Sequence, residues 1–505
     1  MISLEEFKKL AEQYSVIPLV DSVFSGTETP VTIYEKLASN RPGSFLLESA
    51  EQGVWSRYSF IGVESLGMLL GSDEQLSWNA SDGSTKVPGI SVDLDTLSGL
   101  EALSKIQSSW KAVPDVSLPP LVSGIVGLLG WDTIHQIENL PKRKPKDYKL
   151  PELAMALIRD IVVLDHLDSS LKIISNAYVE ESTDLNQAYL AALERIQSMK
   201  SGLLATTVPY LGSVELDTKA SFNKSMTESQ FISMVEDGKK HVVAGDVFQV
   251  VLSQRFEIEN KASPLDVYRM LRAINPSPYM YLLNFVDKEG SFAVVGSSPE
   301  ALVRVQSGKA ILHPIAGSRP RGVTTELDIN LSQELLADEK ERAEHLMLVD
   351  LARNDLLKVC QSSSVSVTEF MTVERYSHIM HLVSTVEGTL LPNVNAVDVL
   401  KATFPAGTLS GAPKPKALEI IENLEPINRG LFGGVVGYFD FAGNADLAIA
   451  IRTAVLRDGK GFVQAGAGIV LDSDPSAEYL ETINKASAPL RAIQAANTID
   501  RYQAR

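Results

Sequence analysis

The chain has 505 residues and a single cysteine, Cys360, so no intrachain disulfide can form and no multi-thiolate metal site can be built. Cys360 closes an apolar helical pattern, LLKVC, without a glycine-flanked nucleophile turn, and reads as a small core hydrophobe. No apolar run reaches the roughly 18 residues of a membrane span, and the opening MISLEEFKKL reads as a short amphipathic helix and not as a leader. Basic residues are scarce relative to acidic ones, 46 against 63, for a net charge of −17. That balance disfavours nucleic acid and anionic membranes as partners. The densest basic stretch, Lys142, Arg143, Lys144, Lys146 and Lys149, is broken by Pro141 and Pro145 and lacks stacking aromatics, so it reads as a surface loop. No Walker loop and no G-x-G-x-x-G is present, and His378 and His381 stand outside any H-E-x-x-H, which argues against nucleotide and zinc sites. A cytoplasmic, soluble protein is expected.

A hydrophobic fraction of 45% with 22% charged residues is that of an ordinary folded chain, long enough for two or three domains. Short β-rich runs (Ser44 to Leu47, Ser59 to Val63, Ile158 to Leu164) cluster without regular alternation with helices, which predicts an α+β fold. From 201 to 226 the pattern fades into Gly, Ser, Thr and Pro. The expected division is therefore 1–200, a linker over 201–226, and 227–505. Thr227 and Gln230 have the spacing of a capping box, with Met226 and Phe231 placed to staple it. In the following strand, Val247 to Phe256, alternation puts Phe248, Val250, Leu252 and Phe256 on the apolar face and Gln249, Ser253 and Arg255 on the other.

Four carboxylates stand out by spacing. Glu341 and Glu344 lie three apart in the strong helix former DEKERAEHLMLVDLARNDLLKV, and Glu478 and Glu481 repeat the device near the C-terminus. Either pair alone is explained by a solvated helix face; together they offer a hard divalent cation such as Mg²⁺ its oxygen ligands. Between them lie FPAGTLSGAPKPK (Phe404 to Lys416) and QAGAGIV (Gln464 to Val470), where glycine within a strand points to close approach of a ligand or another backbone. In DLAIAIR (Asp446 to Arg452), Arg452 shares its face with Ala448 and Ala450, leaving room for a substrate carboxylate or an internal salt bridge.

These segments, with PIAGSRPRG, HIMHLVSTVEG and GGVVGYFDF, resemble the chorismate-utilising enzymes, and most closely the large subunits (component I) of anthranilate synthases. The resemblance implies two domains of mainly antiparallel sheets packed with helices, the catalytic one at 227–505. It implies Mg²⁺ held by Glu344 and Glu481, with Glu341 and Glu478 in the water-mediated shell. Arg452 and the backbone of Gly466, Ala467 and Gly468 would bind carboxylate, and Gly317, Ser318, Thr408 and Lys485 would line the pocket. His381 would assist loss of the 4-hydroxyl. Glu341 is expected to be the general acid, since neighbouring carboxylates would raise its pKa. Isochorismate and salicylate synthases carry a water-activating lysine where Gln249 stands, and aminodeoxychorismate synthases commonly carry a lysine where Ala316 stands; neither residue here can do that work. Phe432 replaces a tyrosine that contacts chorismate in many relatives, and Ser318 replaces the more usual threonine.

The resemblance extends to regulation and supply. Leu46, Leu47, Glu48 and Ser49 match the LLES motif of the tryptophan feedback site, and NPSPYM (Asn275 to Met280) matches its second half, with Ser49, Pro278, Tyr279 and Met280 as inhibitor contacts. No glutaminase is expected in this chain, so a separate glutamine amidotransferase subunit would supply ammonia, in a heterotetramer. The competing readings are an aminodeoxychorismate synthase component and a non-catalytic tryptophan-binding subunit. Ala316 weighs against the first, and the intact set of acidic residues with His381 and Arg452 against the second.

Overall fold

The computed structural model describes residues 1–39, 41–49, 57–72, 75–115, 117–140, 143–206, 210–216, 218–375 and 379–502. His378 and Lys142 lie outside them.

Among the described residues, 21 strands join in one hydrogen-bonded sheet and a two-strand ladder stands apart. The named strands pair antiparallel, as the short β-runs and polar turns predict. The sheet does not stop at the middle of the chain. Ser44–Glu48 pairs with Tyr279–Asp287, and Gly124–Leu129 pairs with Val435–Asp440. The run 201–226 contains the end of helix Leu185–Leu203 and two short pairings, one of them onto Gln249–Glu259.

Three apolar layers follow from strand alternation. One is built almost wholly of strand residues, including Phe45, Val126, Ile161, Tyr281, Leu283 and Val436, where inner sheet faces meet. The other two place helices on the outer faces: Phe7, Ile33, Ile196, Leu271 and Leu490 in one, Leu103, Phe231, Val349 and Leu418 in the other. Each such side chain removed from water contributes about 1.5–3 kcal/mol, which is why register is strict here.

The capping box forms as the spacing predicts. Thr227 Oγ1 accepts from the Gln230 N–H, Gln230 Oε1 accepts from the Thr227 N–H, and Met226 and Phe231 are both buried. Helix Glu228–Ala244 ends at Gly245, whose φ of 80° is the left-handed close that glycine permits. Two expectations need correction. Phe248 is 73% exposed and precedes the strand, which runs Gln249–Glu259; its N–H is drawn to the Ala412 carbonyl, and this turns the side chain outward. Arg452 is not an alternating strand residue: the strand ends at Ile449, and Arg452 sits in the following turn at φ 51°. The basic loop is spent internally, with Arg143 and Lys146 on buried Glu152 and Lys149 on Glu289.

Candidate active site

Two helices carry the carboxylate pairs. Helix Glu339–Leu357 begins at Asp338, whose Oδ1 accepts from the N–H groups of Lys340 and Glu341. Helix Pro475–Asn497 begins at Asp474 with a proline in its first turn. At the start of the first, Arg319 of the strand Ile315–Pro320 gathers Glu334 of the preceding helix Thr325–Ala337, Asp338 and Glu341 at 2.9, 2.8 and 3.4 Å. Glu341 stands over Gly317, where a Cβ would meet its Oε2 at 3.0 Å; with φ 71° this position requires glycine on two counts. Glu344 is half-buried, and burial followed by the neighbouring Glu341 pushes its carboxyl up. On the second helix, burial likewise raises Glu478, with Glu481 adding to it.

Lys485 ties the arrangement together. Its Nζ contacts Glu481 at 2.6 Å and donates to the Gly466 carbonyl at 3.1 Å, and its charge also reaches Glu344, Glu478 and Glu300. Lys340 acts on Glu344 and Glu478 alike, so the two helices share one field. Gly466 and Gly468 lie opposite Ser253 and Val251, and a Cβ on Gly468 would fall 2.5 Å from Gln249 Nε2. The glycines therefore make room for neighbouring strand and side-chain atoms.

Arg452 donates to the Lys485 carbonyl. It forms no ion pair within 4 Å among the described residues, and burial lowers its pKa despite Glu481. Of the two roles left open for it, the internal salt bridge is absent, and a half-buried guanidinium remains for an anion. His381 faces Ser318 across adjacent strands, and its Nδ1–H donates to the Gly317 carbonyl at 3.0 Å, which sets Nε2 as the base-capable nitrogen. Burial pushes its pKa down, so the ring is neutral at pH 7. Phe432 is buried beneath the Arg429 guanidinium, which also lies over Trp131. A phenylalanine suits that apolar setting.

Glu300 was not singled out from the sequence. It follows the strand Gly290–Ser298, its Oε1 accepts from Thr408 Oγ1 at 2.9 Å, and burial pushes its carboxyl up to about 7. The available signal was a lone carboxylate between two apolar strands, VVGSSPEALV. Glu341, the expected acid, is instead engaged by Arg319.

The donor chemistry suits Mg²⁺. Glu344 and Glu481 are carboxylates within reach of Lys485, and burial together with a neighbouring carboxylate raises Glu344 and Glu478, a cost that a bound cation would relieve. Among the described residues no three His, Cys, Asp or Glu side chains are grouped to hold a metal ion, so a cation here would depend on one or two carboxylates together with substrate and water.

The two segments matched to a feedback motif meet on the sheet. Leu46, Leu47 and Glu48 pair with Leu282, Tyr281 and Met280, so LLES and NPSPYM become neighbours. Ser49 Oγ is buried with no hydrogen-bond partner among the described residues. Continuing the register one step sets Ser49 opposite Tyr279, whose hydroxyl donates to Asp446 at 3.0 Å. Met280 packs into the other apolar layer with Leu46, on the opposite face from Tyr279. Glu48 is committed to Tyr268 and Arg272.

Sheet, paired acidic helices, glycine strand and half-buried arginine define a class, and the chain belongs to it: residues 43–491 match the chorismate binding enzyme family. Within that family it is 51% identical to anthranilate synthase component 1 of Arthrobacter globiformis over 98% of this chain and 93% of the relative. It is 48% identical to that of Mycolicibacterium smegmatis, over 98% and 94%. The solved anthranilate synthase component I of Streptococcus pneumoniae superposes with a TM-score of 0.74 at 33% identity, covering 93% of this chain and 99% of that one. The isochorismate synthase MenF of Escherichia coli, at 19% identity and TM-score 0.67 over 97% and 98%, shares the fold.

Proposed function

We propose that the chain converts chorismate and ammonia to anthranilate and pyruvate, with Mg²⁺ held by Glu344 and Glu481. The observation that carries this is the convergence on Lys485 of Glu300, Glu344, Glu478, Glu481 and the Gly466 carbonyl. Bound Mg²⁺ supplies positive charge against the substrate's ring carboxylate. Arg452 and the backbone from Gly466 to Gly468 take up carboxylate, offsetting the repulsion of a dianion by a protein of charge −17. Ammonia adds to the ring as the 4-hydroxyl departs. Glu300, protonated up to about pH 7 and oriented by Thr408, gives that hydroxyl its proton and water leaves. This assignment replaces Glu341, whose carboxylate is held by Arg319. His381, within the field of Arg452 and Glu341, assists loss of the hydroxyl. Loss of pyruvate from the amino intermediate then yields the aromatic ring. Neither Gln249 nor Ala316 supplies an amine or a base, so the nucleophile is ammonia itself.

Ammonia comes from glutamine through a second, amidotransferase component, in a heterotetramer. Tryptophan binds at the Ser49–Tyr279 site and inhibits; the buried hydroxyl of Ser49, which has no hydrogen-bond partner among the described residues, supports this. Chorismate, Mg²⁺ and ammonium should yield anthranilate fluorescence that chelation removes and tryptophan suppresses. Absence of product sinks the catalytic reading, and a product indifferent to tryptophan sinks only the regulatory one. Ser49→Phe, filling the site, should keep turnover and abolish suppression.

A further inference from the structure

The Asn275 loop and Arg452 meet at one residue, the first at its hydroxyl and the second at its backbone N–H. The strand Gly290–Ser298 ends in two fully buried serines. Ser297 Oγ donates to the Asn275 backbone carbonyl and accepts from Asn275 Nδ2 at 3.0 Å, so it both donates to and accepts from the residue that opens the loop into the strand Tyr279–Asp287. The Ser297 N–H donates to the Arg452 carbonyl at 3.2 Å. Ser298 pairs with Tyr279, and its hydroxyl accepts from the Glu300 N–H at 3.3 Å. Tyr279 reaches Asp446, in the strand whose last residue, Ile449, donates to the Glu300 carbonyl.

We propose that Ser297 is a positioning residue for Arg452 and the point at which the Asn275 loop is coupled to it; this rests on the tryptophan reading of the Ser49–Tyr279 site. A non-glycine residue at φ 51° stays there only while its surroundings hold it, and the Ser297 N–H is one of the restraints on Arg452. A buried hydroxyl with donor and acceptor both used cannot let Asn275 shift without either moving with it or orphaning two polar groups. Displacement of the loop by an occupant of the neighbouring site is therefore passed to the backbone of Arg452, and substrate held by Arg452 resists the same displacement.

Coupling of this kind is reciprocal, which makes it measurable without turnover. Tryptophan binding to the full chain is followed by equilibrium dialysis with and without chorismate and Mg²⁺, ammonium and glutamine being omitted. In the unmodified chain chorismate should weaken tryptophan binding by about 5-fold or more. In Ser297→Ala that factor should fall to near one while tryptophan still binds, and in the ammonium assay the KM for chorismate should rise several-fold with kcat changed less. Ser297→Thr, which keeps the hydroxyl, should restore both. If Ser297→Ala retains the original factor, the coupling is refuted. If the unmodified chain binds no tryptophan, the feedback reading falls, and an unchanged KM in Ser297→Ala would then refute the positioning role as well. Should Ser297→Ala fail to fold, Asn275→Asp removes the Nδ2 donor isosterically and is judged by the same factor.

Discussion

Glu300 shows how far one side chain depends on distant ones. Its carboxyl lies near 7 because burial disfavours the charged form, while Thr408 and the charge of Lys485 pull the other way. The folded-state pKa is raised, so the acid is loaded below about pH 7 and lost above it; kcat/KM should fall as pH rises through that value. Glu300→Gln should remove this limb and lower kcat by about 10²–10⁴-fold, with chorismate binding retained. Thr408→Val withdraws a hydrogen bond that favours the carboxylate, so the limb should move to higher pH. A limb at the same pH in Glu300→Gln would assign it to another group. The sequence marks this residue only as a lone carboxylate between apolar strands, since its environment is assembled by Thr408, 108 positions away, and by the C-terminal helix.

At the scale of elements, legibility followed locality. The Glu339–Leu357 and Pro475–Asn497 helices, the capping box at Thr227 and the alternating strands are written in near neighbours, and the structure carries them. Phe248 and Arg452 were misplaced because each sits where a strand meets a turn, and there contacts from other segments override alternation. The pairing of LLES with NPSPYM joins segments more than 220 residues apart; the residues named them, and only the sheet shows them adjacent. Lys414 joins elements in the same non-local way. Its Nζ donates to Asp355 on the Glu339–Leu357 helix at 3.0 Å and to the Thr403 carbonyl at 3.1 Å, tying the base of the Thr408 loop to the helix that bears Glu341 and Glu344. Both partners are buried. Lys414→Met leaves Asp355 charged, still touched by Lys358 but without its buried partner, and should cost about 3–5 kcal/mol in denaturant unfolding. Lys414→Met with Asp355→Leu should recover part of that loss. If the single variant unfolds like the parent, the pair does not anchor the loop.

The whole molecule bears on where ammonia comes from. Glutamine hydrolysis by an amidotransferase needs a nucleophilic thiolate. The chain's one cysteine is buried, bridged by backbone to Leu390, and burial pushes its thiol up to about 11, so it carries almost no thiolate at neutral pH. Gly388 closes over it so tightly that even a methyl group there would strike Sγ at 2.9 Å. The same chain belongs to the chorismate binding enzyme family, so on the reading proposed above the two half-reactions should separate cleanly on purification. The isolated chain should form anthranilate with ammonium, more effectively at higher pH while free ammonia increases, until the Glu300 limb takes over. With glutamine in place of ammonium it should form none until an amidotransferase component is added. Cys360→Ala should leave the ammonium reaction intact and should not alter the response to the added component. Anthranilate made from glutamine by the purified chain, and lost in Cys360→Ala, would place the glutaminase in this protein after all.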